Sequence, residues 1–422
     1  MANSATGRPD AALAGSAEEG RGDAKPEGTD PRSRRAAPPG AGLPLFAVGF
    51  RPFFLGGAAY AALALPLWLL IYRGTPEPPL ALPGALWHAH EMLFGYLAAV
   101  IAGFLLTAIP NWTGRLPISG GPLCLLFLLW LAGRLAMTLG AGLGPLAFLI
   151  DALFLVVFAG VIWREVMAGR NLRNLPVCLL VTCLAAANIG FHLLAQDSGA
   201  TAFLHAAAAV AALLISLVGG RVVPSFTRNW LAKRNATKLP QPFGAFDGVA
   251  LAATGAALLL WILPVQDLAA GVLLLAAGLL QALRLLRWQG WQSGAEPLVL
   301  VLHVAYAWLP LSLILLGLAA LDPVRVPPGA GLHALTAGAV GLMTLAIMTR
   351  ATLGHSGRAL TANRATSLIY LLVLGGALWR VLAPWLPLDY ALSIAASGAL
   401  WSAGFLGFVL VYGPMLIAPR KA

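Results

Sequence analysis

From Phe46 onward the chain holds twelve apolar blocks of helix length, each long enough to cross the hydrocarbon core of a bilayer. A spanning helix needs about 20 residues. The blocks run roughly over 46–72, 88–109, 121–140, 145–163, 176–194, 202–220, 245–263, 269–286, 298–319, 331–350, 367–383 and 390–412. Connections are short and rich in Pro and Gly, and Ile109-Pro110-Asn111, Gly219-Gly220-Arg221 and Ala383-Pro384 read as helix ends. Composition agrees: 59% of residues are hydrophobic and 10% charged, where soluble chains carry about 25% charged residues. The predicted class is therefore an all-α polytopic membrane protein, and soluble enzymes, nucleic-acid binders and disulfide scaffolds are excluded. Cys124, Cys178 and Cys183 lie inside apolar stretches without CxxC spacing and read as small buried core residues.

The domain reading is a disordered cytoplasmic tail over 1–40, followed by a twelve-helix membrane domain over 41–422. The tail is rich in Ala, Gly, Pro and balanced charge, and it lacks the apolar core of a secretory signal. The net charge of +11 belongs to topology rather than to a nucleic-acid partner. One set of alternate loops carries Arg115, Arg164, Arg170, Arg173, Arg221, Arg228, Lys233, Arg234, Lys238, Arg284, Arg287, Arg350, Arg358, Arg364, Arg420 and Lys421. The opposite set carries only Arg73 and Arg325, with the acidic Glu77, Asp197, Asp267, Asp322 and Asp389. Positively charged loops stay inside, so both termini are expected in the cytoplasm and the number of helices must be even.

Topology gives each polar residue a depth, and an intramembrane polar residue is a functional candidate because leaving it unpaired costs several kcal/mol, on the order of one hydrogen-bonding group lost to hydrocarbon. His88, His90, His192, His205 and His333 fall at the outer side, while His303 and His355 fall at the inner side. Imidazole is a common ligand for copper, zinc and haem iron, and several helices together can supply the donors such ions want. Isolated histidines near helix ends also bond backbone or sit at the interface, a reading that suits His192. Within Trp87-His88-Ala89-His90-Glu91-Met92, His88 and His90 point about 200° apart on an ideal helix. Either the helix starts later and both rings converge on one ion, or the two rings serve separate centres across one helix. Glu91, three residues past His88, either orients an imidazole and relays protons or is a first-turn carboxylate favoured by the helix dipole.

Arg134 and Asp151 lie at equal depth on neighbouring helices and read as a buried ion pair. Arg350, His355 and Arg358 crowd one inner helix end, which suits either a clamp on anionic groups or ordinary inner-side charge. The Gly220 to Trp230 stretch reads as a structured helix exit, and Gly338 with Gly341 as a small-residue packing face.

These motifs resemble the NnrS family. The matching stretches are Gly49-Phe50-Arg51-Pro52-Phe53-Phe54, Trp87 to Met92 followed by Phe94-Gly95, Gly103-Phe104-Leu105-Leu106-Thr107-Ala108, Asn111-Trp112-Thr113-Gly114, Gly220 to Trp230 and Arg350 to Arg358. The resemblance implies a bacterial inner-membrane protein of twelve helices that contains haem and copper and is tied to denitrification and to protection against nitric oxide. On that footing the expected activity is reduction of nitric oxide to nitrous oxide, or its detoxification, at a metal centre near the outer face. The alternative is a non-catalytic haem and copper protein that binds or senses nitric oxide or moves a metal complex. His88, His90 and His333 are the expected copper ligands and His205 the axial ligand of a haem b. His303 and His355, with Arg350 and Arg358, are expected around an inner haem fed by quinol, and Glu91 is expected to pass protons. Membrane lipid is the expected surrounding, and no nucleic acid is expected as a partner.

Overall fold

In the computed structural model, residues 43–76, 78–195, 199–263 and 267–420 are described, and every regular element among them is helical. The predicted tail, Glu77, Asp197 and Lys421 lie outside the described residues. Twelve helices are long and apolar enough to cross a membrane. We number them α1 (Phe50–Tyr72), α2 (Gly84–Thr113), α3 (Gly121–Leu139), α4 (Pro145–Ala168), α5 (Leu172–Leu193), α6 (Ala200–Ala232), α7 (Ala245–Ile262), α8 (Leu268–Leu286), α9 (Pro297–Leu321), α10 (Pro328–His355), α11 (Arg364–Trp385) and α12 (Tyr390–Ile417). Chain neighbours pack in sequence, and α1 packs on α12, so the set closes on itself. The most buried helices are α2, α9 and α10, which place two thirds or more of their apolar stretch inside the protein.

Several helix ends differ from the sequence reading by a few residues, and three of them fall at stretches singled out in the sequence. The second helix does not stop at Pro110 but continues to Thr113, where Gly114 takes the left-handed conformation (φ 71°) that ends it. Proline within the last turn is tolerated here because intramembrane helices re-satisfy the freed backbone groups locally. The sixth helix runs through Gly219 and Gly220 to Ala232, which makes the Gly220 to Trp230 exit helical. The tenth helix carries Arg350 and His355 within its last turns. Of the cysteines, Cys178 is buried as expected, whereas Cys183 is exposed on the outside of the bundle.

Helices α2, α6 and α10 each contain a π-helical stretch: Glu91–Leu97, Ile215–Gly219 and Ala334–Val340. They recur at every fourth helix. A π-turn widens the backbone ring and disturbs the hydrogen-bond ladder. In each case a side chain from another helix donates to a carbonyl in the widened turn: Trp130 Nε1 to Gly95 O (2.9 Å), Arg284 Nη1 to Ser216 O (2.9 Å) and Trp401 Nε1 to Ala337 O (3.1 Å). Arg284 is thus not a loop residue; it is buried in α8, paired with Asp247 at 2.8 Å and bonded to Tyr306. Gly338 and Gly341 do serve packing: a Cβ at Gly338 would lie 2.4 Å from the Trp308 ring, and one at Gly341 would lie 2.7 Å from Trp401 Nε1.

Candidate functional site

Helix α2 begins after the extended Pro83 and is α-helical over Gly84–His90 before the π-turn. His88 and His90 therefore leave on different sides of one helix. Of the two arrangements open to the pair, the chain adopts the one in which the rings serve separate places.

The His90 side is a dense polar network among α1–α5. His90 Nδ1 lies 2.8 Å from Glu91 Oε1, and its Nε2 lies 3.0 Å from Asn188 Oδ1 and 3.2 Å from Asp151 Oδ2. Arg134 donates to Glu91 Oε2 at 2.6 Å and to Asp151 Oδ1, and the Tyr60 hydroxyl donates to Glu91 Oε2. His192 Nε2 is 2.8 Å from Asp151 Oδ2, and Asn188 Nδ2 donates to the same oxygen at 2.8 Å. The predicted Arg134–Asp151 ion pair is present, and the sequence reading missed what surrounds it. His192, read as interfacial, belongs to the network, as do Tyr60 and Asn188. One signal pointed there: Asn188 and His192 are four residues apart, hence on one face of α5, at the outer depth shared with Arg134 and Asp151. Glu91 does not reach His88, because the π-turn begins at Glu91 and turns its carboxylate toward Arg134. Gly95 makes room for that contact, since a Cβ there would lie 2.3 Å from Arg134 Nη1. His90, Asp151 and His192 offer ligand atoms within 4.8 Å of one another, a set with metal-ligand chemistry whose atoms are also held by hydrogen bonds.

The His88 side is a cavity of about 410 Å³ lined by α1, α2, α6, α10, α11 and α12. His88, His205 and His333 all line it, one from each helix that carries a π-turn. The rest of the wall is largely apolar, with Trp68, Met92, Leu204, Val340 and Trp401 among its residues. His88 stacks on Trp68 (centroids 5.2 Å, planes 9° apart), and its Nδ1 is buried with no partner among the described residues. His205 stacks on Trp261 at 4.4 Å. His333 Nδ1 is 2.7 Å from Gly329 O. A carbonyl only accepts, so the proton sits on Nδ1 and the Nε2 lone pair is left for an electrophile, the orientation that metal-ligating imidazoles use. A smaller apolar cavity of about 90 Å³ lies between α2, α6 and α10, with Val340 in the walls of both.

The residues expected around an inner haem are not brought together. Thr227 gives its hydroxyl hydrogen to Val223 O, so His303 Nε2 donates to Thr227 Oγ1 at 2.7 Å. His303 Nδ1 faces Gly290 so closely that a Cβ there would sit 2.4 Å away. His355 lies against Phe50 at 5.3 Å, and Arg350 stacks over Phe226 at 3.9 Å. Neither of these histidines, nor Arg350 or Arg358, lines either cavity.

Fold and site define a polytopic membrane protein with three imidazoles on one interior cavity. A family model described as NnrS protein matches residues 44–420, nearly all of the chain, and the protein belongs to that family. Membership relates it to nitric oxide and to metal and haem binding. No curated protein matches the sequence.

Proposed function

We propose that the protein reduces nitric oxide to nitrous oxide at haem and copper held in the larger cavity, the one lined by His88, His205 and His333, in a bacterial inner membrane. The observation that carries this is the convergence of His88, His205 and His333 on one apolar cavity. The donor set suits such groups: His88 offers an unpartnered ring nitrogen, His333 is held in the ligating tautomer, and the remaining wall is largely apolar. His88 and His333 keep their expected roles as donors, and His205 shares the same cavity. His90 belongs to the neighbouring network instead, and a haem b with copper, both in this one cavity, replaces the expected pair of outer and inner centres.

Bound haem iron and copper would supply the Lewis acid and electron donor that joining two nitrogen atoms requires. The reaction consumes two NO, two electrons and two protons and releases N2O and water, and quinol supplies both electrons and protons. The chain's own groups do the rest. Apolar walls admit a small neutral diatomic. Trp68 and Trp261 fix two of the rings by stacking. Behind α2, on the side away from the cavity, the bonded series Tyr60, Glu91 and His90 holds exchangeable protons, and Glu91 is the group that would pass them on.

The test is anaerobic purification with metal and pyridine haemochrome analysis, followed by NO consumption and N2O formation with a reduced quinol. Stoichiometric N2O is the expected result. Binding of NO without N2O would favour a protein that captures or senses the gas.

A further inference from the structure

We propose that Arg380 anchors the carboxylates of the cavity's ligand, so that a haem seated among the three histidines points its propionates to the outer mouth, at Arg380 and Tyr390. This rests on the reading of the cavity as a haem site.

Arg380, near the outer end of α11, lines the same cavity as His88 and His333. The three fully buried arginines are matched: Arg134 with Glu91 and Asp151, Arg284 with Asp247, and Arg51 with the carbonyls of Pro44, Leu416 and Ala418; Arg380 is partly buried like Arg350 and Arg358, and of these three it is the one that lines the cavity. Among the described residues Arg380 pairs with no carboxylate. Its polar contact is the Tyr390 hydroxyl at 3.4 Å, with the Tyr390 ring 5.9 Å away. By the charge bias this is the outer end, where basic residues are scarce and where Arg325 has its own Asp322 at 3.0 Å.

A guanidinium on the rim of an apolar chamber defines an amphipathic ligand, with an apolar body in the chamber and an anionic edge at the rim. Three imidazoles on the same walls add a metal to that description. A metal-bearing macrocycle with carboxylates on one edge meets all three conditions. It also moves the propionate clamp from Arg350 and Arg358, which lie off the cavity, to the opposite end. The competing role for Arg380 is snorkelling, in which the head reaches the interface for its own hydration. A snorkelling arginine is indifferent to the charge of the ligand.

The test uses full-length apoprotein in detergent, titrated with iron protohaem IX and with its dimethyl ester, followed by Soret absorbance. Wild type is expected to bind the free acid at least about tenfold tighter than the ester, the loss of one good ionic pairing. Arg380→Gln is expected to erase that preference and Arg380→Lys to retain part of it, while Arg325→Gln keeps all of it. Equal binding of the two haems by wild type overturns the assignment without needing any variant to fold, as does an undiminished preference in Arg380→Gln. Failure of wild type to bind either haem removes the haem reading and this assignment together, a result plainly different from equal binding.

Discussion

Arg134 holds two carboxylates at once, and nothing else in its surroundings carries a full positive charge against Glu91 and Asp151 unless an imidazole is protonated. Replacing it with Met would strand two buried anions. Removing one partner of a buried pair costs about 3–5 kcal/mol, so Arg134→Met is expected to lower the thermal midpoint in detergent steeply, and an unchanged midpoint would contradict the network. Gly95→Ala presses a methyl against the same guanidinium, and overpacking of this kind costs about 1–3 kcal/mol. A companion Gly248→Ala, at a helical glycine where a Cβ meets nothing within 4 Å, should leave the midpoint unchanged or raise it slightly by the same melting assay. The Arg134–Asp151 pair was legible in the sequence because both residues are costly in hydrocarbon and sit at one depth. His90 was harder to place. Depth is shared by both of its possible partners, and only the direction of a ring, fixed by where the π-turn begins, separates the cavity from the network.

Among elements, the three π-turns set the direction of what lies on either side of them. Inserting one alanine after Val340, outside the π-turn, would lengthen the α-helical part and turn His333 by about 100° relative to the inner part of α10. The expected outcome is a protein that still inserts but loses its cavity ligand. Retention of full haem and metal content by the insertion would show that α10 does not fix the direction of His333. Trp401→Phe is milder: it keeps an aromatic ring but drops the donor to Ala337 O and part of the packed indole, for a loss of at least about 0.5–1.5 kcal/mol, read as a fall in melting temperature. Sequence reasoning placed every spanning helix, since a run of some 20 apolar residues has few other uses. It misjudged ends at Pro110 and Gly219-Gly220 because those residues break helices in water, where no neighbouring helix supplies the missing bonds. The π-turns leave no comparable mark, for their widened rings are stabilised by Trp130, Arg284 and Trp401 from distant parts of the chain.

At the scale of the whole molecule, an even number of spanning helices places both ends of the membrane domain on one side, and the distribution of Lys and Arg makes that side the inner one. A membrane-impermeant thiol reagent should label a cysteine placed at Arg325 in right-side-out vesicles and one placed at Arg364 only in inverted vesicles. The reverse pattern would invert every depth used above. The central claim is that histidines from α2, α6 and α10 act on one ligand in one cavity, while the inner histidines do not. Haem and metal content of the anaerobically purified His88→Ala, His205→Ala, His333→Ala, His303→Ala and His355→Ala proteins tests this most directly. The account predicts depletion of bound cofactor in the first three and wild-type content in the last two. Full content in the first three, or selective loss in the last two, would contradict it.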